Sequence, residues 1–147
     1  MSGTGKSTAL HELGRQGFRV VDTDEPGWKE WRDGEQLWRE DRMSDLLARE
    51  EGRALFVSGC VANQGRFYDR FEAVVLLSAP ADVILDRIRT RTTNTFGRRG
   101  AEREAILGDL ASVEPLLRAT ATHEIDTTES IDVVVDTLVA IGRGENA

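Results

Sequence analysis

The first eight residues, Met-Ser-Gly-Thr-Gly-Lys-Ser-Thr, constrain this chain more than any other stretch. A glycine-rich bend that runs into Lys-Ser/Thr and then into a helix is built to hold phosphate. Glycine lets successive backbone N–H groups point inward at anionic oxygens. The helix that follows turns its positive end toward the same anion. Gly5, Lys6 and Ser7 match the closing residues of the pattern G-x-x-x-x-G-K-[ST], whose opening glycine would fall just before Met1. The chain therefore carries seven of the eight motif positions. In this pattern the amides of Ser2, Gly3, Thr4 and Gly5 cradle the phosphates, the Lys6 ammonium reaches the β- and γ-phosphates, the Ser7 hydroxyl binds Mg²⁺, and Thr8 bonds near the α-phosphate. The strand that normally precedes such a bend is also missing from the sequence. The expectation is that Met1 is an internal methionine and that the natural protein begins several residues earlier.

Downstream, apolar strand-like runs alternate with amphipathic helical segments. Ala9, Leu10 and Leu13 share a face of a helix that should run to about Gln16, punctuated by Gly14 and Gly17. Short runs at 18–22, 54–58 and 73–78 are almost continuously apolar, as expected of strands covered on both faces in a parallel sheet. The segment 123–126 reads as a weaker fourth strand. Residues 28–50 read as helical, broken near Gly34, with Trp28, Trp31 and Trp38 at helical offsets. That spacing suits packing on the core; the alternative is an aromatic wall for a ligand pocket. A helix after Pro80 packs through Ala81, Leu85 and Ile88. Another spans 101–118, with Pro115 set to kink or shorten it. A last helix is capped by Ser130, with Ile131, Val134, Val135, Leu138 and Ile141 on its apolar face. The pattern predicts one α/β domain over 1–147: a doubly wound parallel sheet with helices on both faces and its first central strand absent.

Charge narrows the partners. Of 19 Lys and Arg and 26 Asp and Glu, residues 87–103 hold six arginines and one acid, so this island carries +5 and the remainder −12. An acidic surface repels nucleic-acid backbones and anionic membranes, while a local basic patch concentrates a small polyanion. No apolar run approaches the roughly 18 residues of a membrane span. One cysteine, Cys60, allows no internal disulfide and suits a reducing cytoplasm; with only two histidines it also leaves too few ligands for structural zinc. Cys60 itself reads as a small buried residue.

Taken with its element order, the Ser-Gly-Thr-Gly-Lys-Ser-Thr run resembles the small P-loop kinases, the group that includes adenylate, shikimate and gluconate kinases. The resemblance implies ATP and Mg²⁺ as cofactors and a small-molecule phosphate acceptor. It also implies an arginine-bearing lid, here at about 90–100. Val21-Asp22-Thr23-Asp24 is similar to the acidic Asp-x-Asp element of shikimate-type kinases. The resemblance gives Asp24 to the acceptor hydroxyl and Asp22 to the metal; two carboxylates capping a strand–helix turn would look the same. Gly59, Asn63 and Arg66 stand where the shikimate type carries a glycine-rich substrate loop, although only one glycine is present here, and a plain surface loop reads equally well. Arg91 is the first candidate for the lid arginine over the transferring phosphate, with Arg87, four residues earlier on the same face, or Arg98 or Arg99 beside it. The resulting expectation is a cytoplasmic small-molecule kinase, a monomer or weak homodimer. Competing readings are a regulatory ATPase, an inactive nucleotide-binding remnant, and a nucleoside monophosphate kinase, for which Arg32, Arg39, Arg42 and Arg66 would have to hold the acceptor phosphate. The Asn-Lys-x-Asp element of guanine-reading switches is absent.

Overall fold

Lys6 is where the chain becomes helical. Thr4 and Gly5 bend into α1 (Lys6–Arg15), which is followed by β1 (Arg19–Asp22), β2 (Lys29–Arg32), β3 (Glu35–Trp38), α2 (Glu40–Ala48) and β4 (Leu55–Ser58). A 3₁₀ helix (Gln64–Arg70) leads to β5 (Val75–Ser78), α3 (Ala81–Thr90), α4 (Gly100–Ser112), α5 (Glu114–Thr120), β6 (His123–Asp126) and α6 (Ile131–Gly142). The structure is a computed structural model and describes residues 4–49, 54–90 and 100–144. Ser2, Gly3 and Arg91, with Arg98, Arg99 and nearly all of the expected lid, lie outside the described residues. The α/β class with parallel strand pairs and covering helices is as expected. By its contacts the chain divides into two units, Met1–Lys6 with Ala73–Thr137, and Ser7–Glu72 with Leu138–Ala147.

In the second unit β1 and β4 pair in parallel, Arg19 opposite Leu55 and Asp22 opposite Ser58. Every residue of both strands is half-buried, as their unbroken apolar runs require. Helix α1 buries Ala9, Leu10 and Leu13. It stops where Phe18 N donates to Leu13 O (3.1 Å) and Gly17 N to Gly14 O (3.0 Å), a Schellman cap. Phe18 meets Phe56 edge-on at 5.6 Å. The apolar cluster of this unit is Trp38, Met43, Leu46, Val61 and Phe67.

Residues 28–38 correct the expected helix. They form an antiparallel hairpin, β2 with β3, in which Lys29 faces Trp38 and Trp31 faces Gln36. The two-residue turn Asp33-Gly34 has φ of 52° and 79°, the left-handed pair of a tight hairpin turn, and only 40–48 is helical. Trp38 is buried at 4% exposure, whereas Trp31 is 72% exposed. Trp31 and Trp38 share one face of the ribbon, and their burial differs because Trp31 stands beside the turn while Trp38 stands at the base.

In the first unit β5 and β6 pair in parallel, Val75 opposite His123 and Ser78 opposite Asp126. Ala79, Ile84, Ile88 and Ile106 form the core, so α3 packs through Ile84 and Ile88 rather than through Ala81, which is exposed. Pro115 ends one helix and starts the next, giving α4 and α5 in place of a single long helix. Helix α6 buries Val134 and Val135 in this unit and, beyond Thr137, Leu138 and Ile141 in the second, while Ile131 is exposed. Among the described residues no helix is long and apolar enough to cross a membrane.

Candidate active site

In the first unit, Arg87 and Thr127 meet the bend at Gly5. Thr4 is 2% exposed and Gly5 has φ of +92°, a conformation that glycine enters without strain. The first turn of α1 holds no acidic residue, so the positive end of the helix is left for an external anion. Ser7 and Thr8 are exposed on that turn, and Lys6 is half-exposed. Arg87 reaches this bend from α3: its Nη1 lies 4.0 Å from where a Cβ on Gly5 would stand, and Thr127 Cβ lies 3.9 Å from the same point. The guanidinium donates from Nη1 to Thr127 Oγ1 (2.8 Å) and from Nη2 to the Thr127 carbonyl. Thr127 is in turn fixed to the end of β5, donating to Ser78 O from N (2.8 Å) and Oγ1 (3.1 Å). One residue earlier, Asp126 accepts from Thr128 N (2.8 Å) and Oγ1 (2.7 Å), which hold its carboxyl below the usual carboxylate range. Thr127 was not singled out from sequence, because a buried threonine at a strand end has no motif.

The residues expected at the acceptor end lie at the carboxyl edge of β1 and β4, the edge where open α/β sheets bind ligands. Thr23 is fully buried and donates twice to Ser58 O, from N (3.0 Å) and Oγ1 (2.7 Å). Asp22 accepts from Asp24 N (2.9 Å), so the first carboxylate caps its own turn. The Asp24 carboxylate is exposed and pairs with Lys29 Nζ on β2 at 2.8 Å, a partner unseen in the sequence because the segment reads as a helix. A side chain at Gly59 would force Thr23 to shift: an added Cβ would meet Thr23 Oγ1 at 2.0 Å and Trp38 Nε1 at 3.3 Å. Asn63 is buried and spends its amide on the main chain of Trp38, accepting from Trp38 N (2.9 Å) and donating to Trp38 O (3.1 Å). Arg66 pairs with Glu40 at 2.8 Å on the surface. Cys60 is exposed, not buried as its sequence context suggested.

The donor set suits Mg²⁺ bound to a nucleotide. Mg²⁺ keeps much of its water and takes one or two protein oxygens plus phosphate oxygens, rather than a protein cage. Among the described residues no group of three or more His, Cys, Asp or Glu could enclose a metal, while the Ser7 hydroxyl and the Asp22 carboxylate stand at the motif positions. The left-handed glycine, a first helical turn without acidic residues and the flanking guanidinium fit the phosphates.

The family model of the AAA domain matches residues 1–108, most of the chain. The chain belongs to the AAA-domain family. No curated protein matches it. Among solved structures, this AAA-domain chain is similar to a shikimate kinase from Acinetobacter baumannii in complex with shikimate. That match has 18% identity over 97% of this chain and 88% of the other, with a TM-score of 0.64. It is also similar to TT1252 from Thermus thermophilus, at 17% identity over 99% of this chain and 94% of the other, with a TM-score of 0.62. The likeness is one of fold, the P-loop NTPase fold that the shikimate kinase also has.

Proposed function

We propose that this chain is an ATP- and Mg²⁺-dependent phosphotransferase acting on the hydroxyl of a small metabolite. The bend at Thr4-Gly5-Lys6 with Arg87 beside it carries this reading. In it the amides from Ser2 to Thr8 and the Lys6 ammonium bind the triphosphate. Arg87 and Arg91 neutralise charge on the phosphates, and Ser7 and Asp22 hold Mg²⁺. When bound, the metal draws charge from the β- and γ-phosphate oxygens. Asp24 orients the acceptor hydroxyl and takes its proton as that oxygen bonds to the γ-phosphorus and ADP leaves; Lys29 keeps the Asp24 carboxylate in place. Gly59, Asn63 and Arg66 shape the acceptor end. Likeness to a shikimate kinase supports an acceptor that is small, hydroxylated and not a macromolecule.

The test is ADP formation with Mg·ATP, alone and with shikimate, D-gluconate, glycerol and adenosine monophosphate in turn. Acceptor-dependent ADP, lost in Lys6→Ala, is the expected result. ATP hydrolysis indifferent to every acceptor would favour a regulatory ATPase, the reading that the AAA-domain match keeps alive. Failure to bind ATP at all would leave a remnant.

A further inference from the structure

Trp38 Nε1 is a buried side-chain donor with no hydrogen-bond partner among the described residues, in a side chain only 4% exposed. An indole N–H can only donate, and burying it without an acceptor is costly. Filling the core does not require it, since the ring's packing against Phe67 (5.9 Å between centroids) needs no N–H. The nitrogen lies beside Gly59, at the carboxyl edge of the β1–β4 pair. Of the oxygens at this edge, Thr23 Oγ1, next to the same point beside Gly59, makes no hydrogen bond with the indole and donates to Ser58 O, and Trp38 O takes Asn63 Nδ2. The indole is also held firmly. Asn63 grips the Trp38 main chain from both sides, and the missing side chain at Gly59 lets the ring edge lie against the backbone. The chain that follows β4 at this edge, Gly59 to Ala62, belongs to no helix or strand.

We propose that Trp38 Nε1–H is a substrate-binding donor that hydrogen-bonds a lone-pair oxygen, hydroxyl or carboxylate, of the phosphate acceptor. This rests on the kinase reading for its substrate, and it adds a specificity element: an acceptor lacking oxygen at that position leaves the donor unpaired and is rejected. Asn63 is then a positioning residue, acting through Trp38.

The experiment follows the atom itself. In ¹⁵N-labelled wild-type protein the three indole N–H resonances are assigned with Trp28→Phe, Trp31→Phe and Trp38→Phe. They are then titrated with shikimate, D-gluconate, glycerol and adenosine monophosphate, each also assayed for turnover. The compound that is phosphorylated should move the Trp38 resonance downfield and leave that of exposed Trp31 in place. Trp38→Phe should raise its KM roughly three- to tenfold, the worth of one hydrogen bond, with the KM for ATP unchanged. Turnover of a compound that leaves the Trp38 resonance unmoved would overturn the proposal while keeping the kinase. A shifted resonance without turnover by any compound would support the donor and remove the kinase. If Trp38→Phe fails to fold, assignment by elimination in the wild type still decides.

Discussion

Gly59→Ala is the sharpest test of how the acceptor end is packed. The added methyl would stand 2.0 Å from Thr23 Oγ1 and 3.3 Å from Trp38 Nε1. The first distance is far inside van der Waals contact, so the threonine hydroxyl has to rotate, and in rotating it gives up its 2.7 Å bond to Ser58 O. Overpacking of a well-filled site costs about 1–3 kcal/mol and the lost hydrogen bond about 1 kcal/mol, so Gly59→Ala should lose about 2–4 kcal/mol. Thr23→Ala alone removes the same bond but leaves Ser58 O still accepting from the backbone N at 3.0 Å, so it should cost about 1–2 kcal/mol. The two changes share one cause. In the double variant the new methyl occupies the space the hydroxyl has left, and the combined loss should fall short of the sum by at least about 1 kcal/mol. Urea unfolding of the four proteins of this cycle, with m-values compared, measures it. Losses that add to within about 0.5 kcal/mol would show that the methyl and the hydroxyl never meet, and the reasoning would be wrong.

Lys6→Ala should weaken ATP binding by tenfold or more, with the melting temperature little changed because Lys6 is half-exposed at the first position of α1; calorimetric titration with ATP checks it. Gly5→Ala forces a side chain into φ of +92° and should cost about 1–2 kcal/mol as well as ATP affinity, read by thermal melts with and without nucleotide. Thr127→Val removes the Oγ1 that accepts from Arg87 and donates to Ser78 O, so it should lower both stability and ATP affinity, whereas Thr127→Ser should keep both. Glu124 is held below its ordinary pKa by Arg118 first and Ser78 second, so its contribution to stability is full above about pH 4.3 and is lost as the pH falls through the lowered folded value; melting temperature against pH should drop in that acid range, and less steeply in Glu124→Gln.

The parts of this fold that were legible in sequence are those where local chemistry and tertiary packing agree. Helix α1 was readable from its apolar stripe and closing glycines, and the β6 strand at 123–126 as a weak run that the structure pairs in parallel with β5. The hairpin was not, because two signals competed. Trp28, Trp31 and Trp38 fall at helical offsets, but Asp33-Gly34 is a turn dipeptide of the kind that makes a two-residue hairpin, and the turn won. Register places Lys29, Trp31, Gln36 and Trp38 on one face of the ribbon, and burial grows from the turn toward its base instead of alternating, so no period-2 signal marked the strands. The apolar face of α3 was legible at Leu85 and Ile88, both in or against the core, while Ala81, on the same face, is exposed at the helix start and Ile84 takes the buried place.

The misread segment changes how the candidate site is understood, and not only its secondary structure. A helix at 28–38 would have set Lys29 and Trp38 more than two turns apart on its surface. As a ribbon it places them opposite each other, Lys29 on the Asp24 carboxylate and Trp38 against Gly59. Two residues that no motif marks are thereby fixed to two that a motif does mark. Asp-x-Asp supplies a carboxylate, but an exposed carboxylate has many rotamers. The β2 lysine, itself mostly shielded, limits them. The glycine after β4 is compelled by a collision with Thr23 as much as by any need of a ligand, so a motif position and a packing position coincide there. Conserving such a glycine would not by itself argue for substrate contact; the unpaired indole nitrogen next to it does, because packing alone gives no reason to bury a donor without an acceptor.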